Sequence, residues 1–291
     1  TTTITGIIAG SSATLRWTID NGVCAETSDD IVLTNHALPS AAVAGPDQEL
    51  CNTSTFNMAA TAPVVGTGTW SVVSGSGNIT NAALANTTVT AVAAGTSVTL
   101  EWRVENGTCT ATTDQVTITN LASPTVADAG DALIEQCNTS TFNMNANTPI
   151  VGTGTWTVVS GTATITNPAS PTTTITGIIA GSSATLRWTI DNGVCAETSD
   201  DIVLTNHALP SAAVAGPDQE LCNTSTFNMA ATAPVVGTGT WSVVSGSGNI
   251  TNAALANTTV TAVAAGTSVT LEWRVENGTC TATTDQVTIT N

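Results

Sequence analysis

Seven cysteines, two histidines and a thin scatter of carboxylates are the side chains here with reactive chemistry. The cysteines stand at 24, 51, 109, 137, 195, 222 and 280, and one constant spacing relates Cys51 to Cys109, Cys137 to Cys195 and Cys222 to Cys280. Thiols at a fixed spacing hold a metal or form disulfides. Zinc is the weaker reading, because no Cys-x-x-Cys occurs and the only histidines are His36 and His207. Counting does not settle the disulfide partners. Pairing within units and pairing across them (24 with 51, 109 with 137, 195 with 222) both leave one cysteine over. A bridge needs its Cα atoms within about 6 Å, and a cross-unit pair would have to reach over one full last strand and one full first strand. The expected disulfides are therefore Cys51–Cys109, Cys137–Cys195 and Cys222–Cys280, with the partner of Cys24 upstream of residue 1. Each such loop should stabilise its unit by about 4 kcal/mol on the chain-entropy model. Under load it would release only the stretch between one unit's second cysteine and the next unit's first, as from Cys109 to Cys137.

The remaining candidates each have a plain structural reading. A Ser-His-Asp arrangement would need His36 or His207, which lie in the linker Asn-His-Ala-Leu-Pro-Ser and are replaced by Leu121 at the other junction. No enzymatic activity is expected. Asp29 and Asp30, with Asp47 and Glu49 across a junction, could offer Ca²⁺ several hard oxygens; a solvated acidic edge is the alternative. The seven Trp could form sugar-binding platforms, but all fall on the inward side of strand patterns and read as core. Lysine is absent, so no isopeptide cross-link can form. Asn78-Ile-Thr80 is a glycosylation sequon of the kind expected by chance in so Thr-rich a chain. A net charge of −17 with four Arg as the only fixed cations argues against nucleic acid. No apolar run is long enough to span a bilayer.

The elements that must position these residues are strands. In Val98-Thr-Leu-Glu-Trp-Arg-Val104 the set Val98, Leu100, Trp102 and Val104 faces one way and Thr99, Glu101 and Arg103 the other. Phe56, Met58 and Ala60 predict an earlier inward-facing strand, and Trp70 with Val72 another; Val89, Val116 and Ile118 mark two more. Asn106-Gly107 supplies a turn that tolerates positive φ. Seven or so short strands with turns between them describe a β-sandwich.

This pattern repeats. Residues 1–120 recur unchanged at 172–291, and within that block the phrases at Cys51–Met58 and Gly66–Trp70 return at Cys137–Met144 and Gly152–Trp156. Two unit types therefore alternate: the back half of a repeat at 1–37, then repeats at 38–122, 123–208 and 209–291. Starting inside a strand pattern, the chain reads as a segment of something longer. Between the two types, Val89 becomes Ile175, Val104 becomes Ile190 and Val116 becomes Ile202, exchanges that a packed core accepts. On the outward face Glu101 becomes Arg187 and Arg103 becomes Thr189, which a repeated binding surface would not allow.

Ala44-Gly-Pro-Asp-Gln48, the Trp-containing strands, and Trp-x-Val-x-Asn-Gly followed by an Asp before a Val-x-Ile strand resemble PKD-type immunoglobulin-like repeats. With the cysteines and Gly-Thr-Gly-Thr-Trp-Ser-Val-Val-Ser-Gly at 66–75, the chain resembles repeats of giant Bacteroidetes cell-surface adhesins, including SprB-type gliding-motility adhesins. The second repeat type departs from Gly-Pro-Asp-Gln, reading Gly130-Asp-Ala-Leu-Ile-Glu-Gln136. The resemblance implies an all-β array of PKD-like sandwiches on the bacterial cell surface. The expected architecture is an extended rod on the order of 130 Å long. The expected role is the structural stalk of a secreted adhesin or fibre, whose partners are neighbouring repeats, surface glycans or other copies of the fibre. A carbohydrate-binding module array and a self-associating filament subunit are the alternatives.

Overall fold

The computed structural model describes residues 1–291 and contains strands but no helix. No helix is therefore long and apolar enough to cross a membrane. Two compact units are present: Thr1–Pro124 with Asn192–Ala196, and Thr125–Asp191 with Glu197–Asn291.

The first unit opens with a hairpin, β1 (Ser11–Ile19) against β2 (Thr27–Asn35). Seven strands follow: β3 (Gln48–Cys51), β4 (Thr55–Asn57), β5 (Thr67–Ser74), β6 (Asn78–Ile79), β7 (Thr88–Thr90), β8 (Thr96–Glu105) and β9 (Thr112–Leu121). They form a four-stranded sheet in the order β3-β9-β8-β5 and a three-stranded sheet in the order β4-β7-β6. All pairings are antiparallel except β3 with β9, where Gln48 aligns with Ile118 and Cys51 with Leu121. The second unit repeats this plan with β10 (Leu133–Cys137), β11 (Phe142–Asn143), β12 (Thr153–Ser160), β13 (Thr164–Ile165), β14 (Thr174–Thr176), β15 (Ser182–Asp191) and β16 (Thr198–His207). It repeats it again between Gln219 and Thr290. The architecture is all-β: tandem immunoglobulin-like sandwiches.

Alternation along the strands builds the core. Val98, Leu100, Trp102 and Val104 on β8 are all 1% exposed or less, and Phe56, Trp70, Val116 and Ile118 close on them from the other strands. Each fully buried side chain of this size contributes about 1.5–3 kcal/mol. Trp70 stands opposite Trp102 in the β5–β8 register, and the two rings pack with centroids 5.1 Å apart at 47°. The phrase Gly66-Thr-Gly-Thr-Trp70 belongs to this packing. A Cβ on Gly68 would stand 2.0 Å from the Trp102 ring, and one on Gly66, whose φ is +95°, would stand 2.5 Å from the Glu105 carbonyl oxygen. Six tryptophans are buried as the alternation predicts; Trp17 is 71% exposed. Val72 stands in register opposite Leu100 but is 40% exposed, just before β5 shifts register between Val72 and Ser74.

Polar clamps fix the ends of each sandwich. Asp114 accepts from the Ala44 N–H, and Thr112 both accepts from the Ala42 N–H and donates to the Ser40 carbonyl, so residues 40–44 are fastened along β9. Buried Asn120 accepts from the Thr53 N–H and donates to the carbonyls of Thr53 and Val92. That amide ties three segments together beside Cys51.

Candidate functional site

The cysteines sit at opposite ends of the sandwich. Cys51 closes β3 beside Leu121, at the C-terminal end of β9. Cys109 lies in the β8–β9 turn, before β9 starts at Thr112. Nine steps of strand at about 3.3 Å separate those ends, roughly 30 Å, far beyond the reach of a disulfide. The expected Cys51–Cys109 pairing is therefore corrected, and Cys137–Cys195 and Cys222–Cys280 fail for the same reason. The structure joins Cys51 to Cys195 and Cys137 to Cys280, with Cα atoms 4.9 and 4.8 Å apart. Each bond links the first cysteine of one repeat to the second cysteine of the next. Cys24, Cys109 and Cys222 are free thiols here. The adjacent cross-unit pairing (24 with 51, 109 with 137, 195 with 222) is equally absent.

The bond is one part of a junction set that recurs three times. In the first unit, Asn106 Nδ2 donates to the Ala37 carbonyl at 2.9 Å, and Cys109 Sγ lies 3.3 Å from the same oxygen. In that unit too, Asn192 Nδ2 donates to the Ala122 carbonyl at 2.7 Å, with Cys195 Sγ at 3.2 Å from it. In the second unit Asn277 Nδ2 donates to the Ala208 carbonyl at 2.8 Å, with Cys280 Sγ at 3.3 Å. A disulfide sulfur has no proton to give, so the recurring approach reflects shape rather than a hydrogen bond. Cys109, although unbonded, holds the position of its two bonded counterparts.

Between the asparagine and the cysteine stands a glycine with positive φ: Gly107, Gly193 or Gly278. A Cβ there would stand 2.4 Å from the His36 ring, 2.9 Å from Leu121 Cδ1 or 2.3 Å from the His207 ring. The histidines are thus packing residues that a glycine accommodates, and Leu121 fills the same place. His207 Nε2 also lies 3.3 Å from Glu135 Oε1. The Asn-Gly pair is legible in sequence as a turn. Its role as the seat for the residue that ends the preceding repeat is not.

The acidic candidates do not converge, and no group of three or more His, Cys, Asp and Glu side chains stands at metal-binding range. Asp30 is taken by Arg16, whose guanidinium makes two hydrogen bonds to it at 2.8 and 3.0 Å. This contact holds the Asp30 carboxyl below its ordinary pKa range. Asp201 in the second unit is lowered the same way by Arg187. Asp29 occupies the position of Asp200, which accepts from the Ala129 N–H, a strand-fastening role. Asp47 accepts from the Thr117 N–H at 2.8 Å and lines a shallow groove with Glu49. The buried tryptophans present no ring face to a ligand.

No protein-family model matches the chain, and no curated protein matches it. Among solved structures, a three-immunoglobulin-domain fragment of titin superposes with a TM-score of 0.51 at 12% identity, covering 87% of this chain and 99% of the fragment. The N-terminal eight immunoglobulin domains of Down Syndrome Cell Adhesion Molecule superpose with a TM-score of 0.53 at 10% identity, covering 97% of this chain. The chain spans 40% of the length of that second structure. At these identities the likeness is one of fold: tandem immunoglobulin-like domains.

Proposed function

We propose that this chain is a structural spacer of an extracellular adhesin or fibre, and that its working part is the covalent junction between repeats. The observation that carries this reading is the pair of disulfides Cys51–Cys195 and Cys137–Cys280, whose loops overlap between residues 137 and 195. Bonds between consecutive repeats add a second covalent path along the chain, which suits a spacer that carries tension. Disulfides persist in oxidising compartments, which supports an exterior location. The adhesion protein among the structures of similar fold is in keeping with such a role. The residues shared with Bacteroidetes surface repeats favour a bacterial cell-surface adhesin of the gliding-motility type. Burial of both tryptophans in each complete repeat counts against the carbohydrate-module alternative.

Peptide mapping without reduction tests the junction. Proteolysis of the native chain should release one cross-linked peptide holding Cys51 with Cys195 and another holding Cys137 with Cys280. Recovery of Cys51 joined to Cys109 would remove the basis for the proposal.

A further inference from the structure

The three junction turns are also the places in the complete repeats where asparagine precedes glycine: Asn106-Gly107, Asn192-Gly193 and Asn277-Gly278. That pair has a chemistry of its own. The glycine backbone nitrogen attacks the asparagine Cγ, and no Cβ on the glycine stands in the way. A new C–N bond closes a five-membered succinimide, the Cγ–Nδ2 bond breaks, and Nδ2 leaves as ammonia with the glycine amide proton. Water then opens the ring at either carbonyl, leaving aspartate or isoaspartate. The nucleophile is at hand in all three turns. Gly107, Gly193 and Gly278 are exposed, and their N–H groups donate to no backbone carbonyl. The asparagine is the partner that is held. Each is half-buried, and its Nδ2 donates to the carbonyl of Ala37, Ala122 or Ala208 at 2.7–2.9 Å. Its own carbonyl accepts the N–H of the cysteine three residues on, at 3.1–3.2 Å. For ammonia to leave, the Nδ2 hydrogen bond must break.

We propose that Asn106, Asn192 and Asn277 are covalent-modification sites gated by the junction: inert while the turn is seated, deamidated once it opens. The product does not reseat. A carboxylate has no proton to give, so the Ala122 carbonyl would meet an anionic oxygen where Nδ2 lay 2.7 Å away. Isoaspartate also adds a carbon to the backbone ahead of Gly193 and so shifts the turn that places Cys195. An opening that lasts long enough for the reaction is made permanent, while Cys51–Cys195 and Cys137–Cys280 still hold the repeats together. The chemistry is the same whether or not the chain carries tension.

The test follows the full oxidised chain in mildly alkaline buffer. Peptide mapping reads deamidation at each of the three asparagines by its mass gain, and enzymatic methylation reads isoaspartate. Each site should react at least about tenfold more slowly in the folded chain than in the same chain reduced and unfolded in urea. Leu121→Trp separates seating from folding. Leu121 Cδ1 is 2.9 Å from where a Gly193 Cβ would stand, so the larger side chain should lift that turn alone. Asn192 should then react at least about tenfold faster, in step with amide exchange at Cys195, while Asn106 and Asn277 keep their rates. Asn192→Asp, a stand-in for the product, should leave the Cys195 amide equally fast to exchange with Leu121 in place. The proposal is overturned if any of the three asparagines reacts as fast folded as unfolded. It is also overturned if the Asn192 rate and Cys195 exchange move independently in Leu121→Trp, or if Asn192→Asp protects the turn as well as asparagine does.

Discussion

Single-molecule stretching should separate the junction disulfides from the within-repeat alternative, provided that the handles are well placed. Handles joined through azide side chains introduced at positions 38 and 208 leave every cysteine untouched. With Cys51 bonded to Cys195, the shortest covalent path runs from 38 to 51, across the bond, and from 195 to 208. That is about 26 peptide steps, or a fully stretched length of about 95 Å at ~3.6 Å per step. With bonds inside repeats, the path would also include the stretch from 109 to 137, about 54 steps and about 195 Å. The reduced chain offers the whole contour, about 170 steps or about 610 Å. Handles at the two ends of the chain would discriminate poorly, because the two oxidised paths are then nearly equal in length. The expected result is a limit of about 95 Å before reduction and a release of roughly 500 Å on adding reductant. An oxidised limit of about 195 Å would refute the junction pairing, and one of about 610 Å would refute any staple. In bulk, each bond taken alone closes a loop of 143 or 144 residues, worth about 5 kcal/mol on the chain-entropy model, so reduction should lower thermal stability markedly.

Four further outcomes follow from the packing and the charges. Gly68→Ala should unfold its sandwich, a loss of about 3 kcal/mol or more from driving a methyl into the Trp102 ring, read by hydrogen exchange of β8. Gly177→Ala should cost no more than about 1 kcal/mol, since Ala91 and Ala262 hold the corresponding turn at φ of 58° and 61°. Trp70→Phe should destabilise more than Trp156→Phe, by about 1 kcal/mol: the Trp70 indole N–H donates to the Ala85 carbonyl, whereas the buried Trp156 indole N–H has no partner. Asp201 has a lowered folded pKa, so its contact with Arg187 stabilises above the unfolded carboxylate range and is lost as pH falls through the folded value. Carbon-13 titration should show Arg187→Gln returning the Asp201 midpoint upward, and an unchanged midpoint would exclude the ion pair as the cause.

Much of the sandwich is readable from sequence because side-chain alternation and burial are the same fact seen twice. The inward set of β8 follows from period two, and Val98, Leu100, Trp102 and Val104 are all buried. Burial stops following alternation at Val72, and the register shift that comes after it, between Val72 and Ser74, is not announced by anything in Trp-Ser-Val-Val-Ser. The cysteine pairing misleads for a different reason. Equal spacing suggests partners, but spacing says nothing about which end of a strand a residue occupies. A signal is available. Cys109 follows the Asn106-Gly107 turn, at a hairpin tip, while Cys51 ends a strand that turns at Asn52, where φ is +43°. Two cysteines at the tips of different turns are candidates for opposite ends of a sandwich. The parallel β3–β9 pairing, which decides the matter, is a long-range choice that local sequence does not encode. Asp29, Asp30, Asp47 and Glu49 resemble a ligand set only while proximity across a linker stands in for proximity in space.

What the repeats hold constant within this one chain now has a physical account. The outward strand face changes sign from Glu101 to Arg187, while the junction keeps its parts: Asn106-Gly-Thr-Cys109, Asn192-Gly-Val-Cys195 and Asn277-Gly-Thr-Cys280. The amide holds the carbonyl at the end of the preceding repeat, the glycine makes room for His36, Leu121 or His207, and the sulfur is then set against the same backbone. The noncovalent contacts at Cys109 are complete without a disulfide, so the shape of the turn does not depend on the bond. A disulfide added to a seated turn locks an arrangement that already exists. Because the two loops overlap between residues 137 and 195, breaking either bond still leaves that segment inside the other loop.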